Sequence, residues 1–313
     1  MTDKLVVAYI PEHFATPMFL ADKHKYFAEK NLTVEFFPVV EGSGRLIKLL
    51  NDGTVDIAVG LTESFVADIA KGNTAYSVVG TYVKSPLCWA VSSGAERSDI
   101  SSVGDLAGKD IGVSRIGSGS YVMAFVLGLQ QKLVEPYFYD FKVLHNFANL
   151  RDSVNQRYVD ETGAKVDSDA FMWEHFTSKK FYDSGDIKRI GEIYTPWPSW
   201  VVAVKQAVVD SRKAQAQAFL GAVRSGIRYF LQNPEEAIAH ISTHLPYTAE
   251  DARAWMETVT FNEHLGLAPI EWDTVVKNTS EVLQTAGMIP RDAVVDQRLR
   301  QQVVSLMECG LSE

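Results

Sequence analysis

Cysteine is almost missing from this chain: Cys88 and Cys309 are the only two in 313 residues. Two thiols exclude a disulfide framework and any cluster of thiolate metal ligands. Long apolar runs are missing too. The first, Leu5 to Ile10, stops at Pro11, and no stretch approaches the ~20 residues of a membrane helix. Basic charge is in the minority, with 30 Lys and Arg against 39 Asp and Glu and a formal charge of −9. That balance excludes a nucleic-acid backbone binder, which needs a basic face.

Other absences narrow the chemistry. There is no Gly-x-Ser-x-Gly elbow, and Arg115-Ile116-Gly117-Ser118-Gly119-Ser120 lacks the Gly-Lys-Ser/Thr of a phosphate loop. His240 and His244 have metal-compatible spacing, but no Glu follows in the zincin manner, so they read as ordinary helix residues. No metal and no cofactor is expected. Met1-Thr2-Asp3-Lys4 and the short run after it do not form a secretory leader. The expected compartment is the cytoplasm, or the periplasm or exterior where a leader has been removed.

What is present is alternation. Leu5 to Ile10, Leu32 to Val39, Val55 to Val59 and Ala75 to Tyr82 read as strands. Helices opened by Thr16-Pro17, Ser43 and Thr62 as caps lie between them. The pattern restarts with strands over 109–113, 141–144, 166–171 and 187–193. Helices there follow Gly117-Ser118-Gly119, Leu150 and Trp173. From Val209 the chain reads as helices, the best carrying Ala216, Phe219, Leu220, Val223, Ile227 and Phe230 at core spacing. The 46% apolar content supports real cores. The fold class is α/β, two lobes with mixed, mainly parallel sheets flanked by helices.

Two segments 111 residues apart echo each other. Val55, Asp56, Glu63 and Phe65 recur as Val166, Asp167, Glu174 and Phe176, and Gly80 recurs as Gly191. Both segments fall at strand-to-helix junctions, where open α/β sheets bind ligands. Glu63 and Glu174 are therefore candidate cleft carboxylates, or else helix-start acids stabilised by the dipole. The chain must cross twice between lobes. The crossings are expected near 82–86 and 194–200, where Pro86, Pro196 and Pro198 restrict the backbone. The expected lobes are 1–84 with 203–313, and 85–202.

Arg115 to Tyr121 precedes a helix, whose N-terminal amides suit a carboxylate, sulfonate or phosphate. Phe14, Tyr82, Trp173, Trp197 and Trp200 would wall a planar or methylene-rich body. Glu63, Glu174 and Asp169 would meet an amine or ring N–H. His13 follows the first strand and is placed to enter the cleft.

The run Lys25-Tyr26-Phe27-Ala28-Glu29-Lys30-Asn31-Leu32, the Gly42-Ser43-Gly44 turn, and Leu49 to Ala58 resemble the first lobe of type II periplasmic binding proteins. The nearest branch is that of the alkanesulfonate, nitrate, taurine and thiamine-precursor binders. Val103 to Val113 is similar to the start of that family's second lobe. Phe171 to Lys179 and Thr195 to Trp200 resemble a fungal and bacterial binding-protein-like subfamily with a Candida member.

The resemblance implies a Venus-flytrap fold, hinge motion, and a small-molecule ligand held between the lobes in the manner of ABC-transporter binding proteins. It places ligand contacts at Pro11 to Phe14 (with His13), at Glu41, Gly42, Ser43 and Gly44, and at Leu61, Thr62 and Glu63. In the second lobe it places them at Arg115, Gly117, Ser118, Gly119 and Ser120, and at Trp173 and Glu174. The expected function is binding of a small anionic or zwitterionic, organic or heteroaromatic solute. No catalytic residue is assigned. The alternatives are a thiamine- or menaquinone-pathway enzyme on the same fold and a ligand-gated interaction module.

Overall fold

The computed structural model describes residues 3–307; Cys309 lies outside the described residues. In chain order the elements are β1 (Asp3–Tyr9), α1 (Thr16–Lys23), β2 (Leu32–Pro38), α2 (Ser43–Asn51), β3 (Ile57–Leu61), α3 (Thr62–Ala70) and β4 (Tyr76–Val83). Then come β5 (Cys88–Gly94), β6 (Asp110–Val113), α4 (Gly119–Gln130), β7 (Asp140–Val143), α5 (Phe147–Val154), β8 (Ala170–Glu174), α6 (His175–Asp183) and β9 (Ile187–Tyr194). The chain continues with β10 (Trp200–Lys205), α7 (Gln206–Ser211), α8 (Lys213–Gln232), α9 (Pro234–His244), α10 (Ala249–Met256), α11 (Asn278–Thr285) and α12 (Ala293–Gln302).

The chain divides into two compact units. One holds Met1–Ser85, Trp197–Glu281 and Ile289–Glu313; the other holds Pro86–Pro196 and Val282–Met288. Residues 197–202, expected in the second lobe, belong to the first unit because β10 pairs with β3 and β4 there. The short segment 282–288 adds a passage into the second unit that the sequence pattern does not signal.

Each unit has one five-stranded sheet, ordered β2-β1-β3-β10-β4 in the first and β7-β6-β8-β5-β9 in the second. The orders are the same once β10 is matched with β5. β1 runs parallel to β2 and β3, and β6 parallel to β7 and β8. β10 is antiparallel to both its neighbours, and so is β5. Both sheets are therefore mixed and mainly parallel, as expected.

β10 and β5 are the strands the alternation did not deliver. Val201 to Val204 are all fully buried, as a strand covered on both faces requires. Trp197-Pro198-Ser199-Trp200 stands directly before them, and Pro198, with Pro196 ahead of it, reads as a crossing rather than as the approach to a central strand.

Helix starts also differ from expectation by one residue. Thr16, Ser43 and Thr62 are first helical residues, after Ala15, Gly42 and Leu61. Their hydroxyls bond elsewhere instead, locally at Thr16 and across the fold at Ser43 and Thr62. Thr16 donates to the His13 carbonyl at 2.7 Å, Ser43 accepts from the Leu61 amide at 3.1 Å, and Thr62 donates to the Pro198 carbonyl at 2.6 Å. β8 begins at Ala170, four residues later than read, and β3 runs through Gly60 to Leu61.

The first unit's core includes Leu5, Val7, Ile57, Phe65, Phe219 and Phe230, all fully buried. α1 packs on α8, and the predicted stripe on α8 is buried throughout. Gly226 makes that approach possible: a Cβ there would lie 2.2 Å from the Pro17 carbonyl and 2.8 Å from Ala21 Cβ. Gly226→Ala is expected to cost about 1–3 kcal/mol through forced backbone separation. Urea unfolding measures it, and a midpoint unchanged from wild type would refute the tight contact.

Candidate functional site

Strand order locates the candidate site in each unit. In the first, the chain leaves β1 toward β2 on one side and later returns to β3 on the other. The segments after β1 and β3 therefore flank a crevice at the strands' carboxyl ends, the usual ligand position in such sheets. In the second unit the equivalent segments follow β6 and β8.

After β1, Pro11 is half-buried and His13 is fully buried. The imidazole sits 4.4 Å from the Tyr247 ring and 4.2 Å from the Trp255 ring, with Phe14 at 4.7 Å. Burial holds its pKa well below the ordinary histidine value, so the ring is neutral at physiological pH. Phe14 packs on Trp200 at 5.0 Å, and its carbonyl accepts the Tyr82 hydroxyl at 2.8 Å. Tyr9, Phe14, Met18, Val59, Tyr82 and Trp200 line a shallow apolar recess there.

Glu41 is exposed, while Gly42 takes φ +84 and turns the chain into α2. A side chain at Gly42 would strain that left-handed backbone. Ser43 is buried and Gly44 half-buried. After β3, Leu61 precedes α3, and Thr62 and Glu63 form its first turn. Glu63 is 2% exposed. Its Oε2 accepts the Trp197 indole N–H at 3.1 Å, and its Oε1 has no hydrogen-bond partner among the described residues. Burial raises its pKa to about 7, opposed by its own backbone amide and by Trp197. Trp197 and Trp200 are each 2% exposed.

In the second unit, Gly117 takes φ +85 and Ser118 caps α4, accepting from the Tyr121 amide. Ser118 Oγ also donates to the Arg115 carbonyl at 2.8 Å and lies 2.9 Å from Ser120 Oγ. Ser120 Oγ in turn accepts the Ser114 amide at 3.1 Å. Both hydroxyls thus shape the loop around Gly119. Arg115 is half-buried, and its guanidinium has no ion pair or hydrogen bond among the described residues. Desolvation lowers its pKa.

Trp173 lies on β8 opposite Ala90, stacked on Phe147 at 5.1 Å. Its expected place at a helix start is thereby corrected. Glu174 is the α6 cap, its oxygens accepting the Phe176 amide at 3.0 Å and the Thr177 amide at 2.6 Å. Burial dominates over those amides and raises its pKa to about 7. Asp169 is engaged by Arg97 at 2.6 Å and by the Asp110 amide at 2.8 Å.

The structure brings His13, Phe14, Glu63, Tyr82, Trp197 and Trp200 into the first unit, and Arg115 to Ser120, Trp173 and Glu174 into the second. Tyr247 and Trp255, which flank His13, were missed. Nothing in their local pattern distinguishes them from other helix-region aromatics. Among the described residues no cluster of His, Cys, Asp and Glu is arranged to hold a metal ion, and no helix is long and apolar enough to cross a membrane.

The model of the family described as Ca3427-like PBP matches residues 89–193. The chain is 50% identical to the Candida albicans CA3427 gene product, which exhibits the generic periplasmic binding protein fold. That similarity covers 99% of this chain and 98% of the Candida chain, with a TM-score of 0.91. The chain belongs to the CA3427 family.

Two more distant structures share the fold. The alkanesulfonate-binding protein of Xanthomonas axonopodis pv. citri, bound to MOPS, is 12% identical over 94% of this chain and 97% of its own, with a TM-score of 0.72. The nitrate-binding protein of Synechocystis PCC 6803 is 13% identical over 96% of this chain and 86% of its own, with a TM-score of 0.69. No curated sequence is significantly similar to this chain.

The two raised carboxyls make stability pH-dependent. A carboxyl whose folded pKa lies above its unfolded value binds its proton more tightly when folded, so stability falls as pH rises from about 4.5 through about 7. His13 and His240, both lowered by burial, act in the opposite sense. The difference between wild type and Glu63→Gln therefore isolates Glu63. From pH 5 to pH 8 the variant should gain up to ~3 kcal/mol relative to wild type, read by urea unfolding at each pH. A constant difference would mean that Glu63 is already ionised at pH 5.

Proposed function

We propose that this protein is a solute-binding protein that closes on a small organic molecule bearing an anionic or zwitterionic group. The observation that carries this reading is Arg115. A half-buried guanidinium without a partner among the described residues has lost hydration and gained nothing, which an anion would repair. It stands in the loop before α4, whose N-terminal dipole also favours negative charge.

Two further features support the same reading. Candidate contacts lie at strand carboxyl ends in both units. Fold relatives are named for binding alkanesulfonate and nitrate. Closure then follows from contacts made in both units, since a ligand shifts an equilibrium only by its differential affinity for the two states.

Native mass spectrometry of freshly purified protein should reveal a small co-purifying acid or zwitterion. Thermal unfolding with millimolar propanesulfonate, benzoate or nitrate should show a raised midpoint for at least one, lost in Arg115→Ala. Stabilisation by amines alone, or equal stabilisation of Arg115→Ala, would overturn the anion assignment.

A further inference from the structure

Two of the points where the chain passes between its units are 85/86 and 196/197. On the first-unit side, these two passages are bonded to one place. The Thr62 amide donates to the Ser199 carbonyl at 3.1 Å, and the Thr62 hydroxyl donates to the Pro198 carbonyl at 2.6 Å. Ser199 Oγ donates to the Ser85 carbonyl at 2.8 Å, and its amide to the same oxygen at 3.3 Å. Ser85 Oγ accepts the Thr260 amide at 3.0 Å. Next to Thr62, Glu63 takes the Trp197 indole N–H. Every neutral bond in this set persists across physiological pH. Within this set, it is the Glu63 contact that joins the passage to a titratable group.

We propose that Glu63 and Trp197 form a proton-operated latch that holds the passages at Ser85 and at residues 197–199 to the start of α3. In the protonated state, one carboxyl oxygen serves Trp197 and the other needs no charge compensation. In the ionised state the carboxylate keeps the Trp197 bond, yet Oε1 is a buried charged oxygen that makes no hydrogen bond to another described residue, with only its own backbone amide to offset the charge. Such an oxygen draws in water or a ligand N–H, or the segment loosens to hydrate it. Burial already places the midpoint near neutrality, so by linkage the observed arrangement is favoured at lower pH and weakened at higher pH.

Charged groups on the packed elements are occupied elsewhere. On α3 itself, Asp68 bonds Asn73 and Tyr76. On α2, Arg45 and Lys48 act on Asp52. On α12, Arg298 reaches the Ala70 carbonyl and Arg300 pairs with Asp296. Lys205 lies at the far end of β10 from Trp200, Lys71 closes the far end of α3, and Lys84 faces Glu271 at 3.9 Å. His13 is enclosed by Phe14, Tyr247 and Trp255. None of these charges contributes to the position of Glu63.

The latch would tune ligand capture, a consequence that rests on the binding-protein reading. The latch itself is tested without ligand, so the two fail separately. In protein labelled with 15N-tryptophan, Trp197→Phe assigns one of the six indole signals. That signal should titrate with a midpoint near neutral pH in wild type and stay flat in Glu63→Gln. Hydrogen exchange over 196–199, corrected for intrinsic rates, should accelerate several-fold from pH 6 to pH 8 in wild type only. Should Glu63→Gln fail to fold, 13C-glutamate labelling replaces it: a carboxyl resonance that titrates near neutrality should move to higher pH in Trp197→Phe. An indole signal without a midpoint between pH 5.5 and 8.5, or the same titration and exchange in Glu63→Gln, overturns the latch. So does a carboxyl titration unchanged by Trp197→Phe.

Discussion

One antiparallel strand wedged into an otherwise parallel sheet governs each unit. β10 lies between β3 and β4, and β5 lies between β8 and β9. Removing β10 would leave β4 without a sheet partner and would uncover Val201 to Val204. The same strand begins at Trp200, opposite Leu61 at the end of β3. The register that completes the sheet therefore also delivers Trp200 to the recess, and Trp197 and Ser199 to the start of α3. Fold and candidate site share a single strand pairing.

Much of the α/β order was legible because hydrophobic period and turn residues act locally. The echo shows where local reading stops. Gly80 and Gly191 occupy corresponding places in β4 and β9, two strands of equal length that start 111 residues apart. Each admits an apolar side chain: an added Cβ would meet Leu265 Cδ1 at 2.7 Å and Val103 Cγ1 at 2.5 Å. At β3 and β8 the offset is 113, since the strands start at Ile57 and Ala170. The turn from α6 to β9 is two residues shorter than that from α3 to β4. The glycine echo is in structural register and the glutamate echo is not. No pairwise sequence match can reveal a slip absorbed by a turn.

That slip explains why two similar acids differ. Glu174 stands one residue before α6 and seals its amides with both oxygens. Glu63 stands one residue inside α3 and spends one oxygen on Trp197. Burial lifts both carboxyls to about 7. The first is consumed by its helix, while the second keeps an oxygen uncommitted among the described residues.

The surroundings of His13 follow from packing that no strand or helix period encodes. His13 belongs to the loop after β1, and its ring partners Tyr247 and Trp255 arrive more than two hundred residues later. A histidine enclosed by three aromatic rings loses hydration on every side, so its charged form is penalised and the ring is held neutral. The C-terminal helices, whose pattern looked generic, thus determine the charge state of a residue beside the crevice. In the first unit, burial thus keeps His13 uncharged and holds Glu63 protonated up to about pH 7, so the crevice carries less negative charge than its residue types suggest.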